Sequence, residues 1–324
     1  MKRVHPLWGK APFVLLRFPP LFLAVAAGAL LLALAASSSS LFVSSTVSAA
    51  LEDELADTTE FGAGMAVVQG VEGAVPGVPP VADRVTATRR AVFPVLSDVP
   101  YVGEPVLTVL AATVSPVSAS GAPTARPVRL LAKTNALRHV TKLAGADGAG
   151  VWIADEVAQA MELQPDDTLR VRSDAGRTLR VPIDGIYRAL WKEEPTPYWR
   201  SLSQDIYPRS PELGPPPTFL IADERLAFEL SEQLGDHSFL LRWEWPLATR
   251  RLTLPEAERV KLAFDRFERA LEEPTSRIGA TFRCAGCPER PGAGDIASSS
   301  LLSAVIGSAN QTVTRIRGPA DLLA

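Results

Sequence analysis

The chain has little of what most chemistry requires. Among 324 residues there are two cysteines, three histidines and six lysines. Two cysteines are too few to staple a fold, so the hydrophobic core must supply the stability. No GxxxxGK[ST] run is present, so the chain lacks a P-loop for ATP. HExxH, GxSxG and GxGxxG are absent too, and His5, His139 and His237 lie far apart in sequence. His139 reads as a structural residue, and the adjacent Asp166 and Asp167, between Pro165 and Thr168, read as a turn. The sequence offers no catalytic, cofactor-binding or metal-ligating constellation, and the expectation is a non-enzyme.

Acid is missing from the first 51 residues. They hold Lys2, Arg3, Lys10 and Arg17, while the rest of the chain has 29 basic against 36 acidic residues, a net of −7. The whole chain is therefore near neutral at −3, which excludes a broadly basic nucleic-acid binder. Phe18 to Ala36 is a charge-free run, FPPLFLAVAAGALLLALAA, of 19 residues. As a helix it covers about 28 Å, close to the ~30 Å hydrocarbon core. Basic residues before it and acids after it place the N-terminus in the cytoplasm by the positive-inside rule. A cleaved signal peptide competes with a retained helix. The long basic leader and the long apolar run favour retention in the cell membrane as a single pass. Pro19 and Pro20 fit the first turn of such a helix. Leu41, Val43, Val47, Ala50, Leu51 and Leu55 continue a helical spacing beyond it.

The remainder reads as α+β. Residues 69–126 are rich in Val, Ala, Pro and Gly; VLTVL and AATVSPV suggest short strands, with an irregular segment as the alternative. From Val128, VRLLAKTNALRHVTKLAG reads as a strand followed by a short helix, and strands are expected at 151–153, 169–171, 177–181, 183–187, 218–222 and 238–245. A short helix is expected from Asp155 to Met161 and a turn at GADGAG, 145–150. SDAG at 173–176 reads as a hairpin turn with Gly176 at positive φ. Seven prolines between 195 and 217 exclude a long helix or central strand there. Thr253 and Glu256 have capping-box spacing, and Val260, Ala263, Phe264, Phe267 and Leu271 form one apolar face of the helix they start. A second helix is expected over 297–316. The resulting layout is a basic N-terminus at 1–17, a transmembrane helix at 18–36, a helical stalk at 37–68, an outer α+β domain at 69–295 and a C-terminal stalk helix at 296–324.

Cys284 and Cys287 form CAGC, which can be redox-active, half a zinc site or a small disulfide loop. No histidine is near and no βαβ pattern surrounds it, so a candidate disulfide between Cys284 and Cys287 is the preferred reading, given an oxidising compartment. Trp152, Trp191, Trp199, Trp243 and Trp245 could line a binding groove, but core packing is the favoured reading.

KAPFVLLRFPPLFLAVAAGALLLALAASSSSLFVSS, GVWIADEVAQAMELQPDDTLRV, DGIYRAL, PYWRSL, TFLIAD and the W-x-W-P strand before LTLPEAERV together resemble actinobacterial permeases of the FtsX-like ABC transporter family. The resemblance spans most of the chain, and its segments follow in the same order. It implies a first membrane helix, an extracytoplasmic domain like the MacB-type periplasmic core, and a stalk leading to later membrane helices. It also implies a separate ATPase subunit, so that ATP binds only on that partner, with other permease subunits and a dimer as further partners beside the lipid bilayer. The family's second membrane segment should begin near Ile316, where this sequence ends; the expectation is an N-terminal portion, a split subunit or a truncated permease. The competing expectation is a secreted or anchored solute-binding or structural domain independent of any transporter. An extracytoplasmic enzyme, resting on the CxxC, is a third.

Overall fold

A computed structural model describes residues 19–56, 58–73, 78–118, 121–122, 125–207, 216–235, 238–250, 252–282, 296–299, 302 and 304–306. The chain divides into two compact units, one built on its N-terminal helix as far as Glu54 and one spanning Leu55–Ile306.

The first unit is dominated by the helix Pro19–Ala56, 38 residues without a break. It includes the apolar run and the continuation that the spacing at 41–55 predicts. Every described side chain from 23 to 34 is exposed, including Leu23, Leu30, Leu31, Leu32 and Leu34. The expected transmembrane helix is thus met as a helix only. Among the described residues no helix is long and apolar enough to cross a membrane, the side chains of 21–22 and 35–44 lying outside them.

The second unit is mixed α+β around one ten-stranded sheet. Its strands are β1 Met65–Glu72, β2 Val106–Pro116, β3 Val128–Lys133, β4 Lys142–Gly145, β5 Val151–Ala154, β6 Thr168–Arg172, β7 Thr178–Tyr187, β8 Thr218–Ile221, β9 Ser238–Trp245 and β10 Ile296–Ser299. The order is β10-β1-β9-β2-β3-β8-β5-β7-β4, with β6 bonded to both β2 and β7. The pairings β2–β3–β8–β5–β7–β6 therefore return to β2 and close a ring. Closure leaves those strands without a free edge along that path. Most pairs are antiparallel; β3 with β8 and β5 with β7 are parallel.

Alternation along β9 sets the two sides of the open part of the sheet. Trp243 and Trp245 face one side, where Phe93, Phe267 and Phe282 meet them edge-on at 5.3–6.2 Å. Those rings come from the helices Val81–Ser97, Leu254–Glu272 and Arg277–Phe282. Arg242 and Glu244 face the other side, covered by the 3-10 helix Pro197–Leu202.

Three expectations are corrected. Residues 69–126 hold the end of β1 and, where VLTVL and AATVSPV suggest short strands, the single strand β2; before it lies a 17-residue helix, Val81–Ser97, which the proline-rich surroundings concealed. Pro80 sits just outside its first turn, and Val81, Val85, Thr88, Val92 and Leu96 bury one face. The 37–68 stalk ends early, since β1 begins at Met65. Gly64 sets that break: a Cβ there would lie 2.1 Å from the carbonyl oxygen of Trp245. The 297–316 helix loses its start to β10, which pairs antiparallel with β1. An unpaired strand edge outweighs the weak helical preference of a serine-rich segment.

Candidate functional site

A groove of the second unit lies where β3 and β8 end side by side. It encloses about 270 Å³. One wall is the 3-10 turn Ala136–Arg138, which follows β3. Asn135 before it adopts φ 62, a left-handed geometry that asparagine tolerates. The opposite wall is the glycine-rich turn after β4. Gly145 has φ 103, and a Cβ there would lie 2.2 Å from the Asp184 carbonyl oxygen. Cβ atoms at Gly148 and Gly150 would strike the Asp184 carboxylate at 2.8 and 2.6 Å. The turn that GADGAG predicts is thus shaped by close packing against Asp184, whose Oδ2 accepts the Gly150 N–H at 2.7 Å.

The floor is Trp152, 1% exposed, with Ile221 and Ala222. The benzo edge of Trp152 packs where Gly185 leaves room for it. Its indole Nε1 is buried without a hydrogen-bond partner among the described residues. Lys142 reaches over the ring at 4.8 Å and pairs with Asp147 at 2.7 Å. Asp223 stands at the end of the groove and caps the helix Glu224–Leu234 by accepting the Leu226 N–H.

Beneath the groove lies a buried ion pair that the sequence did not single out. Lys133 Nζ meets Glu244 Oε2 at 2.9 Å, with side-chain exposures of 0% and 3%. Tyr198, Phe61 and Trp199 surround the ammonium at 4.6, 5.5 and 6.0 Å from their ring centres. Burial pulls the Lys133 ammonium below the usual lysine range, and Glu244 opposes that shift. Burial and the Glu244 charge push the Tyr198 hydroxyl well above its ordinary value. That hydroxyl donates to the Thr134 carbonyl at 2.6 Å. The signal was present: a lone lysine closing the apolar run VRLLAK, and a glutamate between two tryptophans.

His139 stacks on Tyr198 at 3.7 Å, and its carbonyl accepts the Trp199 indole N–H. Burial, with Lys133 and Arg138 nearby, lowers its pKa. Asp166 takes φ 72 in a tight turn, and Asp167 Oδ2 accepts the Gln164 N–H, so the pair forms the expected turn. Trp152, Trp199, Trp243 and Trp245 are core residues, and Trp191 donates to Glu156 Oε2. Cys284, Cys287, His5 and His237 lie outside the described residues. No cluster of three metal-ligating side chains occurs among the described residues.

No family model matches the chain, and no curated protein matches it. Among solved structures, a domain of a protein named as a permease, from Porphyromonas gingivalis, is similar over 75% of this chain and 91% of that one. Its TM-score is 0.35 and the identity 13%.

Proposed function

We propose that the chain is a membrane-anchored subunit of the FtsX-like, MacB-type permease kind. Its α+β domain faces outward, binds a substrate or partner, and works with an ATPase carried on another chain. The observation that carries this reading is the helix Pro19–Ala56. Leu30, Leu31 and Leu32 are 62, 66 and 74% exposed. Successive helical residues point about 100° apart, so these three leucines face three different sides. Leu23, Val25 and Leu34 add to the same exposure. A helix that is apolar all round needs a non-aqueous surrounding. The charge-free run 18–36 and its basic leader supply the length and orientation that a bilayer asks for. The chain brings no ATP-binding motif of its own, so energy coupling rests with the partner.

Expression of the full chain in its native host, followed by alkaline extraction and a detergent pull-down, tests the reading. It expects the chain to stay in the membrane pellet and an ATPase subunit to co-purify. A chain released by alkali, or a partnerless monomer after mild solubilisation, overturns it.

A further inference from the structure

The groove above Trp152 carries charges of both signs, and their pairing is uneven. Lys133 is held by Glu244, and Lys142 by Asp147. Arg138, Asp184 and Asp223 also line the groove and have no ion-pair partner among the described residues. The two acids accept backbone N–H groups with one oxygen each, Oδ2 of Asp184 and Oδ1 of Asp223. A free guanidinium and two carboxylates with acceptor capacity to spare thus share one concavity. Its floor is apolar and aromatic, formed by Trp152, Ile221 and Ala222. The parallel strands β3 and β8 both end at this groove, so the segments that follow them, Asn135–Arg138 and Ala222–Asp223, meet in its lining.

We propose that this groove binds a small zwitterion, with its carboxylate on Arg138 and its ammonium between Asp184 and Asp223. A free α-amino acid and a dipeptide share that chemistry. The volume of about 270 Å³ lies just below the usual ligand-pocket range of about 300–1,000 Å³ and suits a molecule of this size. A purely anionic ligand would face two uncompensated carboxylates, and a purely cationic one would face Arg138. The inference rests on the reading of the domain as the ligand-facing part of a permease-like subunit, and it adds the ligand class.

The test is calorimetric titration of the purified full chain in detergent micelles. The probes are single amino acids, unblocked dipeptides, and the same molecules with the amine acetylated or the acid esterified. Saturable binding is expected for one unblocked set, and which set binds identifies the source. Either block should weaken binding at least tenfold. Arg138→Ala should weaken the unblocked ligand at least tenfold and leave its esterified form unaffected. Asp184→Asn keeps an acceptor for Gly150 and should reduce the preference for the free amine; Asp223→Asn, which keeps the helix cap, should do the same. Thermal melting of each variant confirms that it is folded. No saturable binding by any probe, or equal binding of blocked and unblocked forms, overturns the proposal. If the chain still co-purifies with an ATPase in that case, the permease reading stands and only the ligand assignment falls.

Discussion

Lys133 and Glu244 form a 2.9 Å ion pair across an intervening strand. Lys133 ends β3, Glu244 lies on β9, and β2 runs between them, with Thr108 opposite Lys133 and Val106 opposite Glu244. Two residues apart on β2, these partners place both charges on one face of the sheet. Ser201 donates its hydroxyl to the same carboxylate at 3.2 Å, and Arg242 donates to the Ser201 carbonyl at 2.7 Å. Burying both charges costs several kcal/mol in desolvation, so the pair is expected to be worth little net while either charge alone is expensive. Lys133→Met or Glu244→Leu singly should destabilise by about 3–5 kcal/mol. The double variant should recover most of that loss. Melting followed by tryptophan fluorescence reads all four proteins. Should a single variant fail to accumulate, accumulation of the double variant makes the same point. A double variant as unstable as the sum of the singles would refute the argument.

The acid side of the stability profile should depend on Glu256. Tyr101 donates to its Oε1 at 2.7 Å, and the Thr253 hydroxyl and N–H donate to Oε2 at 2.7 and 2.9 Å. The hydrogen bond from Tyr101, then those from Thr253, hold its carboxyl down at about 2, against an ordinary 4.5. A depressed carboxylate favours the folded state fully above pH 4.5, and the contribution is lost as pH falls toward 2. Melting temperatures of the native chain and of Glu256→Gln should differ most above pH 5 and converge toward pH 2. A gap that is constant with pH would show that the carboxylate's charge is not responsible.

How much was legible can be followed residue by residue. The hairpin β6–β7 declared itself through SDAG, and Gly176 does take φ 79. The helix from Leu254 was plain because capping, a first-turn proline and an apolar face all agree at that point. The helix Val81–Ser97 was hidden because its cues conflict. Prolines precede it, Pro94 sits inside it, and β-branched valines fill its buried face. Tertiary packing against Trp243 and Trp245 overrides those local preferences. β10 was illegible for another reason, since only the waiting edge of β1, 230 or so residues earlier in the chain, makes Ile296–Ser299 a strand. The groove was beyond sequence reasoning because its lining comes from separate strand ends. Trp152 stands out in the sequence, but nothing local ties Arg138 to Asp184 and Asp223.

Glycine-to-alanine changes at the β6–β7 hairpin turn and at the end of β4 separate two costs. Gly176 has φ 79 and open space around it, so Gly176→Ala should carry only the left-handed penalty of about 1–2 kcal/mol. Gly145 has φ 103 and the Asp184 carbonyl oxygen 2.2 Å from where a Cβ would stand. Backbone cannot swing aside as a flexible side chain can, so Gly145→Ala should cost clearly more and loosen β4 from β7. Hydrogen exchange at 142–145, compared between the two variants, reads the difference. Equal protection and equal stability would show that the wall adapts and is not set by the glycine.

Charges placed in the N-terminal helix test the membrane reading most directly. Leu31 and Leu32 are 66 and 74% exposed, four and five residues past the midpoint of the charge-free run. In water, two lysines on an exposed helix surface would be harmless or helpful. In a bilayer, each charge near the centre of a span costs about 2.5–3.5 kcal/mol on the insertion scale. Two should therefore shift the insertion equilibrium by more than a thousandfold if the effects add, which is the tenfold-per-1.4 kcal/mol rule applied to about 5–7 kcal/mol. The Leu31→Lys, Leu32→Lys chain should leave the alkali-resistant membrane pellet, while Leu31→Ala, Leu32→Ala should remain in it. The two outcomes separate because lysine and alanine both shorten the apolar surface, but only lysine must be desolvated. A lysine variant that stays in the pellet as fully as the native chain would mean that something other than insertion of this helix holds the protein there.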